Sequence, residues 1–95
     1  YLDLIDTRGV IRYRMGDLEE AVGDFTKFIT LCPSHVRSLV ITRFHLARTY
    51  AEMGRRTEAR EELEEALGAQ NQSYGWPPSD LADAKVLLEQ LKKGS

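Results

Sequence analysis

The chain contains one pattern twice, and this internal repeat constrains its fold more than any other feature. Residues 14–25 read RMGDLEEAVGDF and residues 52–63 read EMGRRTEAREEL, 38 positions further on (52 minus 14). The shared residues are Met15, Gly16, Glu20 and Ala21 in the first copy, and Met53, Gly54, Glu58 and Ala59 in the second. A repeat of roughly 20–50 residues is typical of units that cannot bury their apolar face alone and therefore stack on one another.

Each copy predicts two helices joined at a glycine. Gly16 accepts the left-handed conformation that ends many helices, and Asp17 with Glu20 forms a variant of the capping box that starts the next one. Apolar residues then recur at spacings of three and four, which indicates a helix with one apolar face. No segment alternates apolar and polar residues over a strand's length. The sequence therefore predicts an all-α fold of five helices, at about 2–15, 17–31, 34–53, 56–67 and 79–93.

These helices are expected to form a single domain of two antiparallel hairpins plus a closing helix. Ser79 is the expected cap of the last helix, whose residues divide into one apolar and one charged face. The expected divisions of the domain, 1–95, are repeat one at 2–33, repeat two at 34–68, a loop at 69–78 and the capping helix at 79–93.

Composition narrows the classes of function. The chain is 42% hydrophobic and 29% charged, which suits a folded domain or helical repeat. Its net charge is -2 with both signs interspersed, so it lacks the concentrated basic face that nucleic acid requires, and no apolar run approaches the roughly 18 residues of a membrane span. We therefore expect the chain to bind neither nucleic acid nor a membrane. The single cysteine, Cys32, cannot form an internal disulfide, which favours a reducing compartment such as the cytoplasm.

The repeated residues resemble the tetratricopeptide repeat, a family whose pattern runs from a small residue and an aromatic through a turn glycine to alanine and a large apolar residue. The first copy matches it at Gly9, Gly16, Ala21, Phe25 and Pro33, and the second at Leu46, Ala47, Tyr50, Gly54, Ala59, Leu63 and Ala66. The resemblance covers almost the whole chain. It implies a right-handed superhelix of hairpins, here the last two repeats and capping helix of a longer array.

The chain departs from the family's pattern in three ways. Its period is 38 residues rather than about 34, and the extra residues fall between Pro33 and Ala47, so the third helix should begin about one turn earlier. Arg8 and Arg12 replace a leucine and an aromatic, and Phe28 replaces a small alanine. The first repeat therefore fits the pattern less well than the second.

The resemblance implies reversible binding of a peptide or partner helix in a concave groove, without catalysis. By register, the first helix of each repeat supplies the candidate groove residues, which are Asp3, Asp6, Val10, Tyr13 and Arg14, then Ile41, Phe44, His45, Arg48 and Glu52. Aromatic and arginine side chains of this kind dominate binding hot spots. The alternative is that Phe44 packs against the closing helix and that the arginines are merely solvated.

Some members of the family clamp a C-terminal carboxylate with lysine and asparagine. The corresponding positions hold Asp6, Val10 and His45 here. We therefore do not expect that activity.

Arg8 and Arg12 lie one turn apart on one side of the first helix. They could form a small anion site, or they could pair with Asp24 or Glu20 across the hairpin. The sequence favours the ion pairs, because arginine stems also cover apolar surface.

Two further segments carry chemically distinctive side chains. Cys32 and His35 offer half of a zinc site or a Cys/His nucleophile, but His45 is the one remaining soft ligand and no orienting group is evident. We expect no metal, no cofactor and no enzymatic activity. Tyr74 and Trp76 could form a ligand lip, although Trp76 is expected to pack over the edge of the fourth and fifth helices.

A second hypothesis is that the chain is a structural spacer or self-assembly segment of a larger multidomain protein. Without an upstream neighbour, the first helix would expose Leu2, Ile5 or Ile11. Exposed apolar surface tends to find a partner, so a homodimer is a further expectation.

Overall fold

The structure, a computed structural model, describes residues 2–31, 36–68 and 76–93. These residues form five helices and no strand, which confirms the predicted all-α fold. The helices are α1 (Leu2–Met15), α2 (Leu18–Leu31), α3 (Val36–Glu52), α4 (Arg56–Gly68) and α5 (Pro78–Lys93). None of them is long and apolar enough to cross a membrane.

The helices pack as two hairpins and a closing element. α1 packs against α2 and α3 against α4, while α2 packs against α3 and so joins the two hairpins. α5 covers α4 and also reaches α3. Hydrogen bonds fix its far end, because the Arg56 guanidinium donates to the backbone carbonyls of Gln90 and Leu91 at 3.1 and 3.2 Å.

Both hairpin turns use the same pair of backbone hydrogen bonds. Gly16 and Gly54 have φ values of 87° and 82°, which side chains other than glycine's rarely permit. The bonds follow the Schellman pattern. They run from Gly16 N to Tyr13 O (3.1 Å) and Asp17 N to Arg12 O (2.8 Å), and from Gly54 N to Ala51 O (3.1 Å) and Arg55 N to Tyr50 O (2.9 Å). The turn that the repeated glycine predicted is therefore the same in both copies.

Small residues allow the helices to approach closely. Ala21, Ala47 and Ala59 are fully buried. A Cβ atom added to Gly9 would lie 2.6 Å from Cε1 of Phe25, a side chain that is itself fully buried. Gly9 is therefore needed because the Phe25 ring of α2 packs directly against the α1 backbone.

The third helix, α3, has 17 residues. The extra turn expected at its start stays a prediction, because α1 begins at the second residue of the sequence and its length is no measure of a repeat's first helix. The expected cap, Ser34, lies outside the described residues. At its other end α3 stops at Glu52, and Met53 already belongs to the turn.

The predicted cap of α5 is wrong. The Leu81 N–H donates to the carbonyl of Pro77, which makes Pro77 the capping residue and Pro78 the first helical residue. A proline suits that first position because its ring presets φ and its missing N–H would have no partner there anyway. Ser79 is consequently the second residue of the helix, and the helix begins one residue before the expected 79–93.

Arg8 and Arg12 form ion pairs with Asp24 within the first hairpin. The Asp24 side chain is almost fully buried and accepts hydrogen bonds from Arg8 at 2.8 and 3.1 Å and from Arg12 at 3.1 and 3.3 Å. Of the two interpretations of these arginines, the intramolecular pairs are the ones that form. Glu62 stands 38 positions after Asp24 and likewise pairs with an arginine of its own hairpin, Arg43, at 3.0 Å.

One face of α1 is apolar and exposed. Leu4, Ile11 and Met15 are 70%, 50% and 68% exposed, and their spacing places them on the same side of the helix. Ile5 was expected on this surface, but it is buried against Phe28, because it lies about 100° around the helix from Leu4, on the side toward α2. The expectation for Ile5 is therefore wrong, whereas Ile11 is exposed as predicted.

Candidate functional site

A pocket of about 230 Å³ opens where α1, α3 and α5 meet. We call it the groove pocket. Its walls come from all three helices and consist of Tyr13, Phe44, Arg48, Ala51, Glu52, Asp83 and Leu87. Four of these, Tyr13, Phe44, Arg48 and Glu52, are groove candidates that the repeat register brings together from two hairpins.

Arg48 is the residue that joins the two hairpins at this pocket. Its guanidinium carbon lies 4.9 Å from the ring centroid of Tyr13 and 5.1 Å from that of Phe44. Its terminal NH2 group is 3.2 Å from Nδ1 of His45. The Nε atom of Arg48 is buried and has no hydrogen-bond partner among the described residues. A cation between two aromatic faces stabilises the packing, so Arg48 has a structural role besides lining the pocket.

The hydrogen bond to Arg48 fixes the tautomer of His45. Arginine can only donate, so Nδ1 of His45 accepts and the neutral ring carries its proton on Nε2. The imidazole stacks on Phe25 and Phe44, with ring centroids 5.6 and 6.0 Å away. Burial lowers the pKa of His45, the Arg48 and Arg14 charges lower it further, and Asp6 opposes them. His45 is thus held as a neutral, internally bonded ring.

The lowered pKa of His45 makes stability depend on pH. The unfolded chain, in which histidine has a pKa of about 6.5, takes up a proton before the folded chain does. We therefore expect the contribution of His45 to the free energy of unfolding to be constant above about pH 7.5 and to fall as pH drops through about 6.5. Urea unfolding at several pH values measures this, and His45→Gln should flatten the dependence in that range. An equally steep dependence in the variant would assign the effect to other groups.

Phe44 belongs to the core as well as to the pocket. It is buried, and its ring lies 5.9 Å from that of Trp76. Trp76 is buried in one cluster with residues of α3, α4 and α5. Within the described ranges, the Nε1 atom of Trp76 has no hydrogen-bond partner. Phe44 therefore forms the floor of the pocket and is not a side chain that can turn outward to a partner.

The remaining groove candidates lie outside the pocket lining. Asp6 accepts a hydrogen bond from the Thr42 hydroxyl at 3.1 Å and so links α1 to α3. Val10 packs against the cluster at the junction of the hairpins, and Ile41 packs against the core of the second one. Arg14 is exposed. The side chain of Asp3 lies outside those that the structure describes.

Asp83 and Leu87 complete the pocket, and the sequence did not single them out. They lie four residues apart on α5, so they share a face of that helix. The sequence places Asp83 on the charged side of α5 and Leu87 on the apolar side, which gives no indication that both border a groove. Whether Asp83 and Leu87 border the pocket depends on how α5 packs against α3, and these two helices are far apart in the sequence.

The metal and nucleophile alternatives gain no support. Cys32, His35 and Tyr74 lie outside the described residues. Across the ranges that are described, no cluster of three potential metal ligands occurs. His45 already bonds to Arg48 through Nδ1.

Comparison with protein families finds two matches, and both are to the tetratricopeptide repeat. One model of the repeat matches residues 7–35 and another matches residues 42–73. Searches of curated proteins and of solved structures found no match. Each matched stretch includes one of the two glycine turns, at Gly16 and Gly54.

Proposed function

Because the chain belongs to the tetratricopeptide repeat family, we propose that its groove pocket binds a peptide segment or helix of a partner protein. Repeats of this family generally mediate interactions between proteins and are typically not catalytic. The proposal assigns the binding surface to the face where α1, α3 and α5 meet.

The observation that carries this proposal is the open space between the three helices. No described residue fills the groove pocket, and its walls combine apolar and charged side chains from both hairpins and α5. At about 230 Å³ it is smaller than the roughly 300–1,000 Å³ typical of small-molecule sites. A pocket of this size suits a single side chain of a bound polypeptide, with the rest of the segment lying along the groove.

Blocking the pocket is the direct test of this function. Glu52→Trp places a large side chain at the exposed rim of the pocket, and Glu61→Trp makes the same chemical change on α4, away from it. We expect a partner captured by the wild-type chain from cell lysate, and identified by mass spectrometry, to be retained by Glu61→Trp and reduced at least about tenfold by Glu52→Trp, the scale of a lost hot spot. Circular dichroism first establishes that all three proteins are equally folded.

Glu52 is a better choice for this test than Arg48, because truncating Arg48 would also remove its contacts with Tyr13 and Phe44. Equal loss of the partner in both tryptophan variants, or no loss in either, would contradict the groove as the binding surface.

A second function, assembly through the exposed face of α1, has its own observation. In the second hairpin, Thr42 bonds to α1 and Leu46 packs against α2, so these positions receive the neighbouring hairpin. Their counterparts 38 positions earlier, Leu4 and Arg8, are exposed. We propose that a second copy of the chain covers this face in solution.

Self-association through α1 can be tested by mutation of that face. Ile11→Glu should lower the apparent mass in concentrated solution, because it places a charge on the exposed apolar face of α1. Val86→Glu on α5 is the matched control, since Val86 is 56% exposed and Ile11 is 50% exposed. Light scattering over a range of concentrations measures the mass. A wild-type mass that stays monomeric at all concentrations would contradict the assembly.

A further inference from the structure

We infer that the groove pocket takes a basic side chain, lysine or arginine, from the bound segment. This inference rests on the function proposed above and names the chemistry of the partner. It follows from the charges on the pocket walls and from how each of them is already engaged.

The pocket walls carry an excess of negative charge. Glu52 at the end of α3 and Asp83 on α5 supply two negative charges, and Arg48 supplies one positive charge, which leaves a net charge of -1. Both acidic side chains are exposed. Neither carboxylate pairs with another side chain within the part of the chain that is described. Two carboxylates that have no cationic partner among the described residues, one on α3 and one on α5, favour a cation in this pocket.

Arg48 does not offset this preference. Its guanidinium is occupied by the faces of Tyr13 and Phe44 and by the lone pair of His45 Nδ1. Its Nε atom is buried and therefore beyond the reach of a ligand in the pocket. The carboxylates of Glu52 and Asp83, which line the same pocket, would repel an anionic ligand. The arrangement therefore disfavours a carboxylate or phosphate group.

The apolar part of the lining fits the rest of a basic side chain. Ala51 and Leu87 contribute aliphatic surface, and Tyr13 contributes an aromatic ring. Lysine and arginine place methylene groups against such surface while the charged end stays at the polar rim. Glu52 and Asp83 are positioned to meet that end. A neutral aliphatic side chain would fill the space but would leave both carboxylates without a counterion.

Short peptides with one variable position test this inference. The probes are acetyl-Gly-Gly-Xaa-Gly-Gly-amide peptides in which Xaa is arginine, citrulline or glutamate; citrulline has nearly the shape of arginine but no charge. Backbone amide NMR spectra of the chain report where each peptide binds. We expect the arginine peptide to shift the amides of Ala51, Glu52, Asp83 and Leu87, and to bind about threefold to tenfold more tightly than the citrulline peptide.

The double variant Glu52→Gln/Asp83→Asn provides the second arm of this test. It should lower the affinity for the arginine peptide by about the same factor, so that the arginine and citrulline peptides bind this variant about equally. Added salt should weaken only the binding of the arginine peptide to the wild-type chain, because both carboxylates are exposed and screened.

Three outcomes would overturn the basic-side-chain inference. They are equal binding of the arginine and citrulline peptides, tighter binding of the glutamate peptide at the same amides, and no localised shift with any peptide. The first two would still leave the groove pocket as a peptide site, so the proposed function would stand. The proposed function is tested separately, by whether the tryptophan variants capture the partner equally, so the two failures can be told apart.

Discussion

Gly9→Ala is expected to destabilise the protein by about 2 kcal/mol, although alanine is the better helix former. The added Cβ would lie 2.6 Å from Cε1 of Phe25 and 2.9 Å from Cδ1. Phe25 is fully buried and cannot swing away, so α1 must move from α2 or the ring must leave its preferred rotamer. Overpacking of this kind costs about 1–3 kcal/mol or more, which exceeds the up to about 1 kcal/mol that alanine gains in a helix.

Gly23→Ala separates packing from helix propensity. Gly23 is exposed on α2, and a Cβ added there meets no atom within 4 Å. This variant should therefore gain about 0.5–1 kcal/mol in the free energy of unfolding, since glycine is unfavourable inside a helix. Urea unfolding followed by circular dichroism measures both variants. If Gly9→Ala were as stable as Gly23→Ala, the close contact of Phe25 with the α1 backbone would not exist.

Asp24→Asn is expected to cost about 2–3 kcal/mol, because it removes the negative charge that both arginines share. The Asp24 side chain is 5% exposed, and those of Arg8 and Arg12 are 52% and 34% exposed. Breaking a fully buried ion pair costs about 3–5 kcal/mol, and the cost here is lower since both guanidinium groups remain partly hydrated. Asparagine keeps the shape but turns an NH2 donor toward groups that can only donate.

Glu64→Gln is the comparison for Asp24→Asn. Glu64 pairs with Arg60 one turn away on α4, at 3.3 Å, and both side chains are nearly half exposed. Exposed pairs of this kind contribute about 0.3–0.5 kcal/mol, so this variant should be close to wild type in urea unfolding. A similar small loss in both variants would show that the buried Asp24 cluster contributes no more than a surface pair.

The fold was largely predictable because its signals are local. Gly16 and Gly54 end helices through their own backbone conformation, so the turns could be located from the sequence alone. The error at the start of α5 also comes from reading local signals. Ser79 is a good capping residue, but the preceding Pro78 is better suited to the first helical position, and a rule about single residues does not weigh the two.

The site was predictable only in part. Repeat register placed Tyr13, Arg48 and Glu52 on a common surface, and all three line the groove pocket. Register could not indicate that Arg48 would be stacked between two rings, because that depends on side-chain packing between hairpins. Nor could register assign Asp83 to the pocket, because α5 has no counterpart in the repeat pattern and its position is set by tertiary contacts.

The measurement that tests the central claim most directly is cross-linking from inside the groove. A photoreactive benzoylphenylalanine in place of Asp83 lines the groove pocket, and the same residue in place of Glu89 lies on another face of α5, about 240° around the helix. We expect the probe at position 83 to cross-link one segment of a partner protein and the probe at position 89 not to do so. Cross-links to that partner from position 89 but not from position 83 would contradict the claim.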